Sequence, residues 1–287
     1  MDVRAERVPR PDLIVSISVC IPVRAGASTI AETIRSVLAQ DVDGVSLEVV
    51  VSDNRSTDGT EDVVRPFLAD PRVRYHRSNR DLELFASFKR AVELGSGDAF
   101  VALGADDVLL PGFLAHLEAR LRGDGRDAVA LAGCAARVID AEGRRLPLRL
   151  RPRPLGRVPG RKLRARMLLT GLNLIGSPST VLIRRSAYDA AGGFRPGAGY
   201  AGDLDLWLRL AEVGDADLSG DELVLYRIHA GSFTSSRARG QVASVLAALR
   251  AAEDRDRRRP FPISARSVLV RAAWVGRRIA VRRALRA

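Results

Sequence analysis

From Ser16 onward the chain alternates short runs of apolar, mostly β-branched residues with longer segments whose apolar positions recur every three or four residues. Residues 16–23, 47–51, 73–76 and 99–103 have the brevity and flanking turn residues of strands. The intervening segments 29–39, 59–67, 82–94 and 112–121 carry the helical period. In the first of these, Ile30, Ile34, Val37 and Leu38 share one face, and in the third Leu84, Phe88, Ala91 and Val92 do the same. Thr29 and Glu32 have the spacing of a capping box at the first helix. Four strand–helix units in succession predict an α/β fold whose mostly parallel central sheet is covered by helices on both faces. Ligands of such sheets lie beyond the carboxyl ends of the strands. Here those ends are Pro22, Ser52 with Asp53, and the turn from Gly104 to Asp107. No internal repeat is evident.

Composition indicates a globular domain with appendages, with material for one large core or two modest ones: of 287 residues, 46% are hydrophobic and 28% charged. The formal net charge of +12 is concentrated in two places. Residues 144–166 hold ten Arg or Lys and no acid, interleaved with Pro147, Pro152, Pro154 and Pro159, which reads as a mobile basic loop. Residues 257–287 hold ten Arg and no acid among Ala, Val and Leu, which reads as a basic amphipathic helical tail. What remains is acidic overall and lacks a zinc-finger or RNP signature, so nucleic acid is not the expected partner. Cys20 and Cys134 lie far apart inside apolar runs, as buried reduced thiols do. No run approaches the length of a membrane span, and "LIVSISVCIPV" reads as a first strand, not a signal peptide. A cytoplasmic protein is the expectation.

Several acids invite a chemical reading beside a structural one. Asp106 and Asp107, in "FVALGADDVLLPG", stand side by side at a strand end, where each raises the other's cost of ionisation. They can cap the helix that begins near Pro111 or belong to a site. Asp53 precedes "NRSTDGT" and suits a turn. Asp203 and Asp205 open an amphipathic segment with Leu206, Leu210 and Val213 on one side, where capping and the helix dipole favour acids. Trp207 reads as a core residue, and His229, beside Arg227, as a hydrogen-bonded histidine at a turn. His76 and His116 read as surface residues.

The blocks "VSISVCIPVRAGASTIAETIRSVLAQ", "LEVVVSDNRSTDGT", "SGDAFVALGADDVLLPG", "GGFRPGAGYAGDLDLWLRLAEVG" and "LYRIHAGSFT", in that order, resemble the inverting family 2 glycosyltransferases over about residues 15–235. The resemblance implies a GT-A type nucleotide-binding α/β/α sandwich. It implies that residues 1–235 form the catalytic domain, with a nucleotide-sugar half (1–140) and an acceptor half (141–235), followed by a basic helical extension (236–287). In the donor half it implies that Pro22, Val23 and Asp53 meet the base and that Arg24, where the family more often has Tyr or Phe, reaches phosphate. Asp106 meets the nucleotide, and Asp106, Asp107 and His229 hold Mg2+ or Mn2+ against the diphosphate. Gly104 stands where many members have a first aspartate. In the acceptor half, Asp203 takes the general-base position, with Gly202 where Glu is usual, and Trp207 and Asp205 meet the acceptor. The activity implied is metal-dependent inverting transfer of a sugar from a nucleotide-diphosphate donor, UDP favoured. The acceptor would be a hydroxyl of a glycan or lipid-linked glycan in cell-envelope or polysaccharide biosynthesis. The basic pattern of residues 257–287 fits either peripheral contact with the inner face of the membrane or a helix packed on the catalytic domain with its arginines solvated. Two other readings are a nucleotidyltransferase of similar fold and a non-catalytic nucleotide-sugar or polyanion binder. The first calls for a Gly-rich phosphate loop, of which "PVRAGAST" is a thin version. Retention of Asp106, Asp107 and Asp203 argues against the second.

Overall fold

The computed structural model describes residues 14–122, 129–150, 152, 155–229 and 238–255. The basic tail at 257–287 therefore lies outside the described residues. In chain order the elements begin β1 (Ser16–Val23), α1 (Ile30–Leu38), β2 (Ser46–Asp53), α2 (Thr60–Val64), β3 (Val73–Arg77), α3 (Leu84–Leu94) and β4 (Ala99–Ala102). Next come β5 (Val108–Leu109), α4 (Phe113–Arg122), β6 (Val129–Ile139), β7 (Arg145–Leu150), β8 (Gly156–Val158) and α5 (Gly160–Thr170). The series ends with β9 (Val181–Arg184), α6 (Arg185–Ala190), α7 (Gly202–Val213), β10 (Asp215–Arg227) and α8 (Ala238–Arg255).

All four strands and helices expected from the periodicity of the first half are present. The segment expected as one helix over 59–67 divides into α2 and a 3-10 turn, Arg65–Ala69, with Pro66 near its start. Proline cannot supply the amide that would continue α2. One sheet runs β3-β2-β1-β4-β9-β6-β10-β5, with β7 added to β6 and β8 to β10. Its first half, β3-β2-β1-β4, is parallel throughout. Beyond β4 the pairing is mixed: β9 runs antiparallel to β4 and β6, while β6 and β10 are parallel.

Two features of the sequence reading are corrected. Most of the described residues of 144–166, expected as a mobile loop, belong to β7, β8 and the start of α5. The alternation in "RLPLRL" is a strand period, with Leu inward and Arg outward, and Pro147 sits on a strand paired on one side by β6. The capping box at α1 does not form, because its two side chains find partners elsewhere. The Thr29 hydroxyl donates to the Ala105 carbonyl at 2.9 Å, and Glu32 pairs with Arg227 at 2.6 Å. Both contacts lead to the turn after β4.

The sheet separates two cores. Ile17, Val19, Ile21, Val49, Val51 and Val101 pack against the apolar faces of α1 and α4. On the other face, Cys20, Phe100 and Ile183 pack with α3, α5, α7 and α8, including an aromatic group of Phe85, Phe88, Phe100, Tyr188 and Phe194. Both cysteines are buried and free, and burial pushes their thiols up to about 12. Described side chains of α8 pack on this core: Val245, Ala248, Leu249 and Ala252 are buried, and Arg164 of α5 donates to the Ala252 carbonyl at 2.8 Å. Among the described residues no helix is long and apolar enough to cross a membrane.

The spacing of α5 and α7 rests on one glycine. A Cβ at Gly160 would fall deep inside the carbonyl oxygens of Ala211 and Gly214 at the end of α7. Backbone cannot rotate away as a side chain can, so Gly160→Ala is expected to cost at least about 2 kcal/mol. Urea unfolding with unchanged slope and a lowered midpoint checks this.

Candidate functional site

Beyond the carboxyl ends of β1 and β4 a cleft of about 820 Å³ opens. Its walls include Pro22 and Arg24 after β1, Asp106 and Asp107 after β4, Asn173 before β9, Asp203 on α7 and His229 after β10. The cleft thus lies where β1 continues one way to β2 and the other way to β4, the place at which an open α/β sheet leaves room between its connections.

The turn after β4 gives two adjacent carboxylates opposite surroundings. Asp107 N–H closes the turn on the Gly104 carbonyl at 3.1 Å, and Gly104 N–H is held by Ser179 Oγ at 3.0 Å. Asp106 faces the cleft with Oδ2 3.1 Å from His229 Nε2. Asp107 is buried and accepts the main-chain N–H of Arg227 at 3.0 Å and a hydrogen bond from Ser179. Burial first, and then the charge of Asp106, hold the Asp107 carboxyl well above the usual carboxylate range. Gly104 is compatible with this folding-back, since a Cβ there would stand 2.9 Å from Asp107 Oδ2 and 3.0 Å from Asp106 Oδ1. Arg227 fastens the whole turn. Its Nε donates to the Asp106 carbonyl at 2.9 Å, Nη1 to the carbonyls of Asp140 and Ala141 at 3.3 and 3.2 Å, and Nη2 to Glu32 at 2.6 Å.

On the opposite wall, Asp203 is the second residue of α7 and does not cap it; Ala201 occupies the N-cap. Asp203 Oδ2 accepts from Asn173 Nδ2 at 2.9 Å, and Oδ1 accepts the Leu204 N–H at 2.7 Å. The space beside Gly202 is filled by the Phe85 ring, which a Cβ at that position would penetrate.

The description "Glycosyl transferase family 2" matches residues 18–192, more than half of the chain. This chain belongs to glycosyltransferase family 2. It is similar to an uncharacterized protein of Mycobacterium tuberculosis, 35% identical over 201 residues that make up 68% of this chain and 61% of that one. It is similar also to the abequosyltransferase RfbV of Salmonella typhimurium, 32% identical over 107 residues, 37% of this chain and 32% of that one. The chain spans between about a third and three fifths of the length of these two relatives. Among solved structures it resembles S. aureus TarS 1-349 in complex with UDP-GlcNAc, with a TM-score of 0.64 at 18% identity, covering 83% of this chain and 66% of that one. The mannosyltransferase PcManGT of Pyrobaculum calidifontis, in complex with GDP-Man and Mn2+, gives a TM-score of 0.57 at 19% identity, covering 92% and 71%. The fold is therefore of the GT-A type.

Within this family 2 fold the expected site residues divide. Pro22, Arg24, Asp106, Asp107, Asp203 and His229 line one cleft. Val23 is buried beneath it. Arg24 extends to the surface and meets Asp81 at 3.3 Å. Asp53 is fully buried and holds the β2–α2 turn, Oδ1 accepting the Ser56 N–H at 2.7 Å and Oδ2 the Tyr75 hydroxyl at 2.6 Å. Asp205 and Trp207 do not reach the cleft as expected. Two residues along a helix turn a side chain to the far side, and Asp205 is buried against Arg209, with bonds of 2.7 and 3.1 Å. Trp207 shares the side of Asp203 but is fully buried, its Nε1 donating to the Gly176 carbonyl at 3.0 Å. Both other histidines are half-buried: His116 lies between Arg120 and Asp221, and the ring of His76 is held below the usual range by burial and by Arg74 and Arg90. Residue patterns did not single out Asn173, Ser179 or the bonds of Arg227. The polar run "GLNLIGSPS" carries turn signals that mark a structured loop at 171–179.

The raised pKa of Asp107 has a sign that can be measured in metal-free protein. The folded chain keeps this proton to higher pH than the unfolded chain, so the contribution of Asp107 to stability is full below about pH 4 and falls as pH rises from there toward the folded-state value. Asp107→Asn, which retains an acceptor for the Arg227 N–H, is expected to flatten that fall and to equal or exceed the parent in stability at alkaline pH. Urea melts of both proteins across the pH series check it.

Proposed function

We propose that this chain is a metal-dependent inverting glycosyltransferase that moves a sugar from a nucleotide-diphosphate donor to a hydroxyl acceptor. The observation that carries the reading is that Asp106 with His229 on one wall, and Asp203 on another, face a single cleft at the carboxyl ends of the parallel strands. A UDP sugar is the favoured donor, and the UDP-GlcNAc and GDP-Man complexes of the two structural neighbours support this donor class. The base would lie against Pro22, over the turn that Asp53 holds. A base N–H that sought the Asp53 carboxylate would compete with Ser56 and Tyr75. Arg24 stands at the same rim, where a phosphate would gain a charged hydrogen bond.

Among the described residues, no group of three or more His, Cys, Asp or Glu side chains could hold a metal ion alone. The donor set nevertheless fits an ion shared with substrate. Asp106 Oδ2 and His229 Nε2 are a carboxylate and an imidazole 3.1 Å apart, and the buried Asp107 carboxyl, which keeps its proton to higher pH in the metal-free chain, would add negative charge once a cation displaced that proton. Diphosphate oxygens and water would complete the coordination. When bound, Mg2+ or Mn2+ supplies charge neutralisation to the departing diphosphate. Arg227 keeps the Asp106 and Asp107 backbone in place, and Asp203 takes the acceptor's proton as its hydroxyl attacks the face opposite the diphosphate.

The acceptor class is supported by the names of two relatives, abequosyltransferase RfbV and the succinoglycan biosynthesis protein ExoO of Rhizobium meliloti, the latter 31% identical over 147 residues. A glycan or lipid-linked glycan is the reading. Residues 1–235 would be the catalytic domain, and the arginines of 257–287 would bring it to anionic lipid at the inner membrane face, at about 1 kcal/mol per basic residue near the surface.

Asp106→Ala is expected to fold normally and to lose Mn2+-dependent binding of UDP in calorimetry; parental binding would remove it from the metal site. For Asp203→Asn the expectation is turnover lowered by roughly 10²- to 10⁴-fold with donor affinity nearly unchanged. Asp205→Asn gives the contrasting pattern: Arg209 is left buried beside an amide, so stability falls first. Single-turnover transfer beside urea unfolding separates the two.

A further inference from the structure

The loop that runs from the end of α5 to the turn before β9 is tied to α7 at two points one helical turn apart. Asn173 Nδ2 donates to Asp203 Oδ2 at 2.9 Å, and Trp207 Nε1 donates to the Gly176 carbonyl at 3.0 Å. Residues 203 and 207 share a face of α7 because their spacing is i, i+4. The loop itself is closed by the same asparagine. Asn173 Oδ1 accepts the N–H groups of Ile175 and Gly176 at 3.1 and 3.0 Å, while Nδ2 also donates to the Gly176 carbonyl at 2.9 Å. This pattern fixes which end of the amide is which. Turned over, the NH2 group would face two main-chain N–H donors, and the oxygen would face a carboxylate and a carbonyl. Ile175 is fully buried, and at Gly176, with φ of +133°, a Cβ would stand 2.8 Å from Thr180 Oγ1. The amide therefore cannot follow a carboxylate that moves.

We propose that Asn173 is a positioning residue for Asp203: a rigid, pre-oriented N–H that holds one carboxylate oxygen and thereby sets the direction in which Asp203 meets the acceptor hydroxyl. Trp207 serves the same arrangement from further back by pinning Gly176. The inference rests on Asp203 being the base. It assigns a role to two side chains, one of them the tryptophan expected at the acceptor, whose effect reaches the reaction only through Asp203. Donation to the carboxylate also favours its ionised form, so the base stays ready to accept a proton at lower pH than it would unaided.

Asn173→Asp is the discriminating variant, because Asp closes the same turn through its Oδ1 yet offers no N–H to Asp203. Asn173→Ala is its partner should the added charge disturb folding, and Trp207→Phe keeps the ring while removing its N–H. Carboxyl-carbon NMR titration of the ligand-free protein reads the effect without any substrate, the Asp203 signal being assigned by its loss in Asp203→Asn. The other ionisable groups facing the cleft are unchanged by these substitutions: Tyr200 beside Asp203, Asp106, Asp107, Arg227 and His229 across it, and Arg24 and Arg149 at its rim. So are Asp205 and Arg209 on α7. The expected result is that Asp203 titrates at higher pH in Asn173→Ala than in the parent, because the ionised form loses its donor. In single-turnover transfer with a UDP-sugar and Mn2+, the rate is expected to fall about tenfold or more with donor affinity kept. An Asp203 that titrates alike in the parent and in Asn173→Ala overturns the inference. If instead the titration moves but Asp203→Asn transfers at the parental rate, the contact stands and the assignment of Asp203 as base fails.

Discussion

A buried guanidinium holds the charged wall of this cleft in place. An isolated cation removed from water costs several kcal/mol, and Arg227 offsets that cost with four oxygens, three of them main-chain carbonyls and one the carboxylate of Glu32. These partners come from α1, from the turn after β4 and from the hairpin joining β6 to β7. The main chain of the same residue donates to Asp107. The last residue of the long strand β10 thus fixes segments separated by more than a hundred residues, and His229, two residues on, is delivered to Asp106 by the same anchorage.

Given that anchorage, the protein repeatedly uses neighbouring acids for opposite tasks. Asp106 is left facing the cleft, whereas Asp107 is drawn into the wall, where it exchanges solvation for hydrogen bonds from Arg227 and Ser179. On α7, Asp203 looks into the cleft and Asp205 into the core, where Arg209 compensates it. Asp53 and Tyr75 repeat the structural half of this theme under the turn after β2. The two cleft-facing acids are held by neighbours that are bonded elsewhere as well, Asp106 through Arg227 and Asp203 through Asn173, which is how a site on loops can keep the precision of a site on a strand.

How much of this is legible in the chain depends on the kind of interaction. The parallel half of the sheet follows from period alone, because β-branched runs and amphipathic stripes at 30–38 and 84–94 admit few other packings. The antiparallel half is obscured by composition: in "RLPLRL" the two-residue period is present, but arginine and proline weigh against a strand until β6 is seen to pair with it. Motif spacing brings six of the expected residues to one cleft, and cannot separate a cleft-facing Asp203 from a core-facing Asp205, since that depends on the phase of α7 relative to the sheet. Long-range polar partners are the least legible. Glu32 has the spacing of a cap, yet Arg227, far along the chain, takes it. Asn173 lies in a run that signals only a turn, and its contact to Asp203 spans thirty residues of chain.

The account turns on a nucleotide diphosphate held through a metal at Asp106. Calorimetric titration of the parent protein with UDP, GDP and dTDP, each in Mn2+ and again in EDTA, tests it most directly. The account predicts that at least one of the three binds in Mn2+ and that this binding is lost in EDTA. Equal affinity in EDTA, or no binding of any of the three in either condition, would contradict it.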